Sequence, residues 1–413
     1  MQTKLSPEFR DTEQGSAADA ILRSCVHCGF CNATCPTYQI LGDELDGPRG
    51  RIYLIKQMLE GGEVGRSTQQ HLDRCLTCLN CESTCPSGVE YGKLVSIGRQ
   101  LVDERVQRPA AEKLQRWVLR EGLTSALFAP VFQLAQRARR LFPEVLRKKI
   151  PPKSDGRASI WPARQHARKV LLLAGCVQPA MRPNINSATA RLLDACGIQT
   201  LMADGAGCCG ALRDHLSDRR GSLDDARRNI DAWWPLVAAG AVEAIVMNAS
   251  ACGLAVKQYG EALARDPVYA HKAARVGALA CDLSEMLPGL LATLKGRLRA
   301  GALGRVAFHA PCTLQHGQRV RGDIEAHLSA LGFELPRAIS DGHLCCGSAG
   351  TYSLLQPALA NELRGRKVSS LAASNPRCIL SANIGCIQHL QAGTSIPVKH
   401  WVEAVEEALI PAG

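Results

Sequence analysis

The sequence predicts an α+β protein of several domains, in which an α-helical, cysteine-rich N-terminal part is followed by two duplicated α/β lobes. Three observations predict this fold. Eight cysteines fall in two short runs within the first hundred residues. After residues 150–152 the pattern changes to short apolar runs alternating with helical segments, which is typical of βα units. That second part occurs twice along the chain, so we expect two similar lobes related by a pseudo-twofold axis.

Composition places the chain among ordinary globular proteins. It has 413 residues, of which 46% are hydrophobic and 21% charged, which excludes a disordered or fibrous chain and allows two or three domains. The N-terminus lacks the apolar core of a secretory signal, and no apolar stretch reaches the roughly 20 residues that span a bilayer. We therefore expect a cytoplasmic protein. In that reducing compartment its 19 cysteines favour metal or redox chemistry over disulfides.

Positive charge is concentrated in one segment. Lysine and arginine number 49 against 38 acidic residues, a net charge of +11, and residues 105–153 hold twelve basic and three acidic residues, or +9 of that excess. Apolar residues at helical spacing, such as Leu114, Trp117 and Val118, predict a basic amphipathic helix pair. It is interpreted either as a solvated connector or as a surface that docks on an acidic partner or an anionic membrane, for example the cytoplasmic face of the inner membrane. No nucleic-acid motif accompanies it, so no nucleic acid is expected.

The two N-terminal cysteine runs predict two 4Fe-4S clusters. Each run reads C-x2-C-x2-C-x3-C followed by proline, a spacing in which the fourth cysteine binds the other cluster. The ligand sets therefore cross, and the fourth cysteine of each run is expected at the start of a helix. Zinc is the weaker alternative, because structural zinc sites usually take two separated pairs of ligands. Cluster 1 is predicted to take Cys25, Cys28, Cys31 and Cys85, and cluster 2 to take Cys35, Cys75, Cys78 and Cys81.

Between the runs, Pro48 and the pair Gly61 and Gly62 mark the start and end of a helix that we expect to cover the clusters. The predicted domains are then a two-cluster ferredoxin-type domain at 1–104, a basic helical connector at 105–166, a first α/β lobe at 167–302 and a second at 303–413.

The repeat sorts the remaining cysteines. VLLLAGCVQP matches VAFHAPCTLQ, DGAGCCG matches DGHLCCG, and AIVMNASACG matches CILSANIGCI. Four positions per lobe are thus cysteine in both copies, and they should meet at one edge of each sheet, where they could bind a cluster, bind another metal, act as dithiols or merely pack. These candidates are Cys176, Cys208, Cys209 and Cys252 in the first lobe, and Cys312, Cys345, Cys346 and Cys386 in the second.

Three cysteines and three histidines are not expected to bind metal. Cys196, Cys281 and Cys378 have no cysteine at the corresponding position and are interpreted as small buried hydrophobic residues. His27, His309 and His316 lie near cysteine motifs but are interpreted as supporting or surface groups. GAGCCG formally matches a dinucleotide-binding motif, yet the second copy keeps only CCG, so no such site is expected.

With these motifs in place, the sequence resembles the family of glycolate oxidase iron-sulfur subunits, within a larger group that joins a two-cluster ferredoxin domain to two CCG, or heterodisulfide-reductase-like, domains. The resemblance covers nearly the whole chain and rests on CVHCGFCNATCPTY, DELDGPRGRIYLIKQMLEG, CLTCLNCESTCPSGVEYGKL, GAGCCGALRDHL and LCCGSAGTYSLLQPALANELRGRK. The sequence departs from the group at Ala249 and Asn383, where its CxxC pattern has a cysteine. That departure puts a heterodisulfide-reductase type of cluster in doubt.

The resemblance implies a relay subunit without catalytic residues of its own. Partner flavoprotein subunits would carry FAD and oxidise glycolate to glyoxylate, and electrons would leave through this chain towards a quinone or another membrane acceptor. The motifs also fit iron-sulfur subunits of lactate, other 2-hydroxyacid or anaerobic glycerol-3-phosphate dehydrogenases, and a CCG-domain disulfide reductase.

Overall fold

A computed structural model describes residues 1–125, 127–141, 156–299, 304–336 and 339–410. The N-terminal part is α-helical. Its helices are α1 (Pro7–Arg10), α2 (Glu13–Ser24), α3 (Phe30–Ala33), α4 (Pro36–Leu41), α5 (Pro48–Leu59), α6 (Arg66–Asp73), α7 (Asn80–Thr84) and α8 (Tyr91–Arg105).

Helix α5 is the predicted helix between the cysteine runs, and its bounds agree with the proline and glycine signals. Proline has no N–H to lose at the first helical position, and Gly61 takes the positive φ of 89° just beyond the helix end. The buried face of α5 packs closely on α8, because a Cβ atom at Gly98 would lie 2.6 Å from Ile55 Cγ1. The two helices thereby form the wall against which both cysteine runs are held.

The predicted basic helix pair is present as α9 (Ala110–Thr124) and α10 (Phe128–Arg137). Arginines in and just before α9 are paired within the chain: Arg108 and Arg116 contact Asp73, and Arg120 contacts Glu121. Residues 142–153 of the predicted basic segment lie outside the described residues. No helix in the described part of the chain is long and apolar enough to cross a membrane.

The first lobe is built on a four-stranded parallel sheet with the order β2-β1-β3-β4. Its strands are β1 (Arg168–Leu172), β2 (Ile198–Leu201), β3 (Ala244–Met247) and β4 (Ala280–Asp282). Its helices are α11 (Gln178–Met181), α12 (Asn184–Ala195), α13 (Ala211–His215), α14 (Arg219–Ala238), α15 (Ser250–Lys257), α16 (Tyr259–Ala262), α17 (Ala270–Leu279) and α18 (Leu283–Lys295).

The second lobe has a three-stranded parallel sheet with the order β5-β6-β7. Its strands are β5 (Val306–His309), β6 (Cys378–Ser381) and β7 (Val398–His400). Its helices are α19 (Asp323–Ala330), α20 (Tyr352–Leu355), α21 (Pro357–Ala372), α22 (Ile384–Gln391) and α23 (Trp401–Ala408), with a π-helical turn at Thr313–Gly317. A single parallel bridge from Arg305 to Glu334 stands where the first lobe has β2.

The strand orders agree with the predicted duplication, and the two lobes share one apolar core. That core contains Val170 and Leu172 of β1 together with Val306 and Phe308 of β5. The helical part has a separate core. A small cluster that includes Leu76, Cys345 and Tyr352 joins the helical part to the second lobe. The pseudo-twofold relation of the lobes stays a prediction.

Candidate metal centres

Both cysteine runs wind through left-handed backbone at equivalent positions. The residues directly before and after the second cysteine of each run have positive φ: His27 (60°) and Gly29 (85°), and Thr77 (50°) and Leu79 (60°). A non-glycine residue in this region is strained and persists only where its surroundings impose it. The alternation of backbone conformations turns successive thiols towards a common centre and can direct N–H groups to an anionic ligand.

The first cavity is lined by five cysteines: Cys25, Cys28, Cys31, Cys81 and Cys85. Three of them come from the first run and two from the second, and Cys81 also lines the second cavity. The first cavity therefore contains the four cysteines that crossed ligand sets assign to cluster 1. Cys85 directly follows α7 and the next helix begins only at Tyr91, so the expectation that each fourth cysteine starts a helix is wrong for Cys85. Between Cys85 and the next helix, the chain turns at Gly88, which has a φ of 65°.

The second cavity is lined by Cys35, Cys75, Cys78 and Cys81, all of them buried. Here the helix expectation is correct, because Cys35 caps α4 and Pro36 is the first residue of that helix. Each cavity is thus lined by at least four cysteines, and sulfur is a donor that suits iron-sulfur clusters. The residues fit the group that the spacing predicts, and their role as ligands stays a prediction.

Sequence reasoning missed the buried cation beside the second cavity. Arg51 on α5 is only 1% exposed; its guanidinium donates to the His71 carbonyl at 2.7 Å and lies 3.4 Å from the Asp46 carboxylate. Burial raises the pKa of the Cys75 thiol, but the charges of Arg51 and Arg99 outweigh burial and the net shift is downward. The signal was present in the sequence as a charged residue directly before Ile52 on the apolar face of α5.

Other thiols of the two cavities resist ionisation. Burial and the nearby Cys25 thiol raise the pKa of Cys31 to about 11. Burial and neighbouring thiols raise the pKa values of Cys78 and Cys81 well above the usual range. Four thiolates packed together repel one another, so bound iron would stabilise their charge by supplying positive charge at the centre of each cavity.

Tyr91 gives a direct test of the second cavity, because its hydroxyl donates to Cys75 Sγ at 3.6 Å. In Tyr91→Phe the ring keeps its buried packing and only this hydrogen bond is lost. A hydrogen bond to a charged sulfur worth about 1.4 kcal/mol corresponds to roughly 59 mV for one electron, so we expect the reduction potential of the centre to fall by tens of millivolts. Redox titration followed by EPR measures it, and Tyr53→Phe, outside this cavity, is the matched control.

The first lobe brings its four candidate cysteines together. The thiols form a row in which Cys176 neighbours Cys208, Cys208 neighbours Cys209, and Cys209 neighbours Cys252. Hydrogen bonds from its cysteine neighbours and from the Gly210 N–H lower the pKa of Cys208. The four cysteines follow β1, β2 and β3 along the chain, as expected of side chains that meet at one edge of a parallel sheet.

The second lobe repeats this row with one addition. Cys312 Sγ lies 3.9 Å from Cys345 Sγ, and further thiol contacts join Cys345 to Cys346 and Cys346 to Cys386. A ring nitrogen of His309, at the end of β5, and the sulfurs of Cys346 and Cys386 lie within 4.8 Å of one another. His309 is buried, and among the described residues its Nε2 has no hydrogen-bond partner.

The interpretation of His309 as a mere supporting group therefore misses its position against two thiols. The repeat contained a sign of this position. The residue that corresponds to His309 in the first lobe is Leu173, so only the second copy has a histidine there. The interpretation of His316 stays a prediction; its Nδ1 lies 2.9 Å from Ser83 Oγ and its Nε2 2.8 Å from the His343 carbonyl.

The second-lobe thiols adjoin the second cavity. Cys78 and Cys345 belong to the same small apolar cluster, with Cys312 packed against it. The Asn80 amide donates to the His343 carbonyl at 3.3 Å, which holds α7 against this lobe. The arrangement places two cavities and one row of thiols in sequence: cavity 1, cavity 2, and the second-lobe row.

Cys196, Cys281 and Cys378 are partly exposed, so the expectation that they are buried is wrong. Cys196 follows the last turn of α12, Cys281 lies in the edge strand β4, and Cys378 begins β6; Cys196 and Cys378 pack against the shared core and remain partly exposed. Partial burial still raises the pKa of Cys196 and of Cys378 to about 11.

Comparisons with known proteins agree with this architecture. Residues 21–89 match the model of the 4Fe-4S dicluster domain, and residues 170–257 and 306–391 each match that of the cysteine-rich domain. The chain is 51% identical to the glycolate oxidase iron-sulfur subunit of Escherichia coli, over 99% of both chains. It is 27% identical to the probable glycolate oxidase iron-sulfur subunit of Bacillus subtilis, over 90% of this chain and 89% of that one.

Fold, cysteine pattern and matched domains define an iron-sulfur protein in which a 4Fe-4S dicluster domain is joined to a duplicated cysteine-rich domain. Within that class, the chain belongs to the family of glycolate oxidase iron-sulfur subunits.

Proposed function

We propose that this chain is the electron-transfer subunit of a glycolate oxidase complex and carries no substrate site of its own. The observation that carries the proposal is the pair of neighbouring cysteine-lined cavities, which share Cys81 and between them contain both predicted ligand sets. The relative that shares 51% of its residues bears the name of this subunit. When bound, two 4Fe-4S clusters supply one-electron redox chemistry.

The chain's own residues then position and insulate these centres. Cys25, Cys28, Cys31 and Cys85 would hold cluster 1, and Cys35, Cys75, Cys78 and Cys81 would hold cluster 2. Arg51 and the Tyr91 hydroxyl stabilise negative charge at cavity 2, and the apolar wall of α5 and α8 excludes water. In the complex, a flavoprotein subunit with FAD oxidises glycolate to glyoxylate, and electrons continue towards a quinone.

The complex is located in the cytoplasm. It contacts the inner membrane peripherally through α9 and α10. Solvent-exposed Leu114, Trp117 and Leu134 on these helices support this contact, as expected of helices that lie in a membrane interface. The domain limits 1–104, 105–166, 167–302 and 303–413 belong to the same proposal.

Iron and acid-labile sulfide per chain, measured on anaerobically purified protein with EPR before and after reduction, test the proposal. We expect about eight of each and two interacting reduced clusters. Zinc without sulfide would overturn the relay. Clearly more than eight irons, falling back to eight in Cys345→Ser/Cys346→Ser, would place a further cluster in the second lobe; the matched control is Cys208→Ser/Cys209→Ser.

A second candidate function, reduction of a disulfide by the CCG lobes, rests on the two rows of contacting thiols. The same paired serine variants decide it. If both leave iron content and complex activity unchanged, the lobes act as scaffold.

A further inference from the structure

The two cavities differ in their access to solvent. All nineteen cysteines lie in the described residues, and only Cys28, in cavity 1, is exposed. The four cysteines of cavity 2 are buried, and the second lobe packs against Cys78. An external redox group therefore approaches the relay most closely at cavity 1.

Large apolar side chains surround this access point. Val26 and Phe30 flank Cys28 in the cysteine loop and are 69% and 64% exposed. Tyr53 on α5 is 44% exposed and stands edge-on to the His27 ring, with 6.4 Å between ring centroids. We call Val26, Phe30 and Tyr53 the cavity-1 rim. Clustered exposed apolar residues of this kind mark protein interfaces, where aromatic residues are enriched and charges depleted.

The charged side chains next to the rim are already paired. Arg49 Nε lies 2.6 Å from Glu44, and Lys56 Nζ lies 2.5 Å from Glu60. Binding to an anionic lipid surface or to an acidic protein would require unpaired cations beside the apolar residues. Charge complementarity therefore favours an uncharged, apolar protein face as the occupant.

We propose that the cavity-1 rim is the docking surface of the flavin-bearing subunit, so that electrons enter the chain at cavity 1. The inference rests on the proposed function and adds the place and direction of entry. The reduced flavin gives up two electrons one at a time and releases its protons to solvent. Cavity 1 would hold the group that takes up each electron, cavity 2 would hold the group that receives it next, and the quinone of the proposed function would be reduced last.

The test places a charge in the rim of the assembled complex. The variants are Val26→Asp and Phe30→Asp in the cysteine loop, and Tyr53→Glu outside it, which keeps the test valid should the loop variants lose iron. Val268→Asp is the matched control, because Val268 is 63% exposed on the first lobe, far along the chain from the rim. Affinity for the purified flavin subunit is measured by sedimentation, and cluster reduction by glycolate is compared with reduction by dithionite.

We expect each rim variant to weaken the affinity at least about tenfold, the effect of 1.4 kcal/mol. Reduction by glycolate should slow accordingly, while iron content, reduction by dithionite and the control stay as in the unmodified chain. Unchanged affinity in all three rim variants overturns the inference. If the rim variants bind the flavin subunit with unchanged affinity but lose self-association, the occupant of the rim is a second copy of the chain and the inference is overturned. If they instead lose binding to anionic vesicles, the occupant is a lipid surface and the inference is likewise overturned. If glycolate fails to reduce the unmodified complex, the proposed function fails first.

Discussion

Replacing Cys78 by serine abolishes electron transfer from glycolate through the complex to an external acceptor. Cys78 is one of the four buried cysteines of cavity 2, and a serine hydroxyl is a far weaker ligand for iron than a thiolate. Dye or quinone reduction by the complex measures the loss. The flavin half-reaction, followed separately as bleaching of the flavin by glycolate, should survive because the substrate site is expected in another chain.

Cys78 also packs against the second lobe, so its replacement could disturb that contact as well as the centre. Cys28→Ser separates the two effects, because Cys28 is exposed and lies in the other cavity. We expect the same loss of turnover from it without a change at the lobe interface. Cys281→Ser in β4 is the matched control and should retain full turnover. Full turnover in either cavity variant would contradict the relay.

Local signals in the sequence were strong enough to predict the first part of this fold. The proline and glycine residues around α5 act through the backbone alone, and the structure places the helix between them. The spacing of the runs predicts crossed ligand sets, because in this motif the fourth cysteine binds the other cluster, and each cavity contains one of the two predicted sets. Duplication of the strand order likewise followed from the repeat.

What sequence reasoning missed depends on contacts between distant segments. Arg51 becomes a buried charge because Asp46 and His71 meet it from other elements. His309 gains significance because β5 and α22 bring it to Cys386. The arginines of α9 look like a free basic surface in the sequence, whereas Asp73 of α6 pairs with Arg116 in the structure. Each of these depends on tertiary packing, which residue spacing does not encode.

The second large effect concerns stability: Arg51→Met should destabilise the helical part by about 3 kcal/mol. The substitution keeps the aliphatic bulk but leaves the buried Asp46 carboxylate without one of its cations, and it removes the donor to the His71 carbonyl. Arg74, whose guanidinium lies 2.8 Å from Asp46, compensates in part and holds the effect to the lower end of the range for a broken buried pair.

Amide hydrogen exchange across α5 and α8 measures this change, because it reports the free energy of opening of these helices separately from the two lobes. Arg23→Met is the matched control: Arg23 pairs with Asp19 at 2.6 Å on the surface, and exposed pairs of this kind contribute about 0.2 to 1 kcal/mol. Arg51→Lys should fall between the two, since it keeps the charge but loses the planar fork that reaches two acceptors at once. Equal exchange in Arg51→Met and Arg23→Met would mean that the buried guanidinium does not hold the wall of the second cavity together.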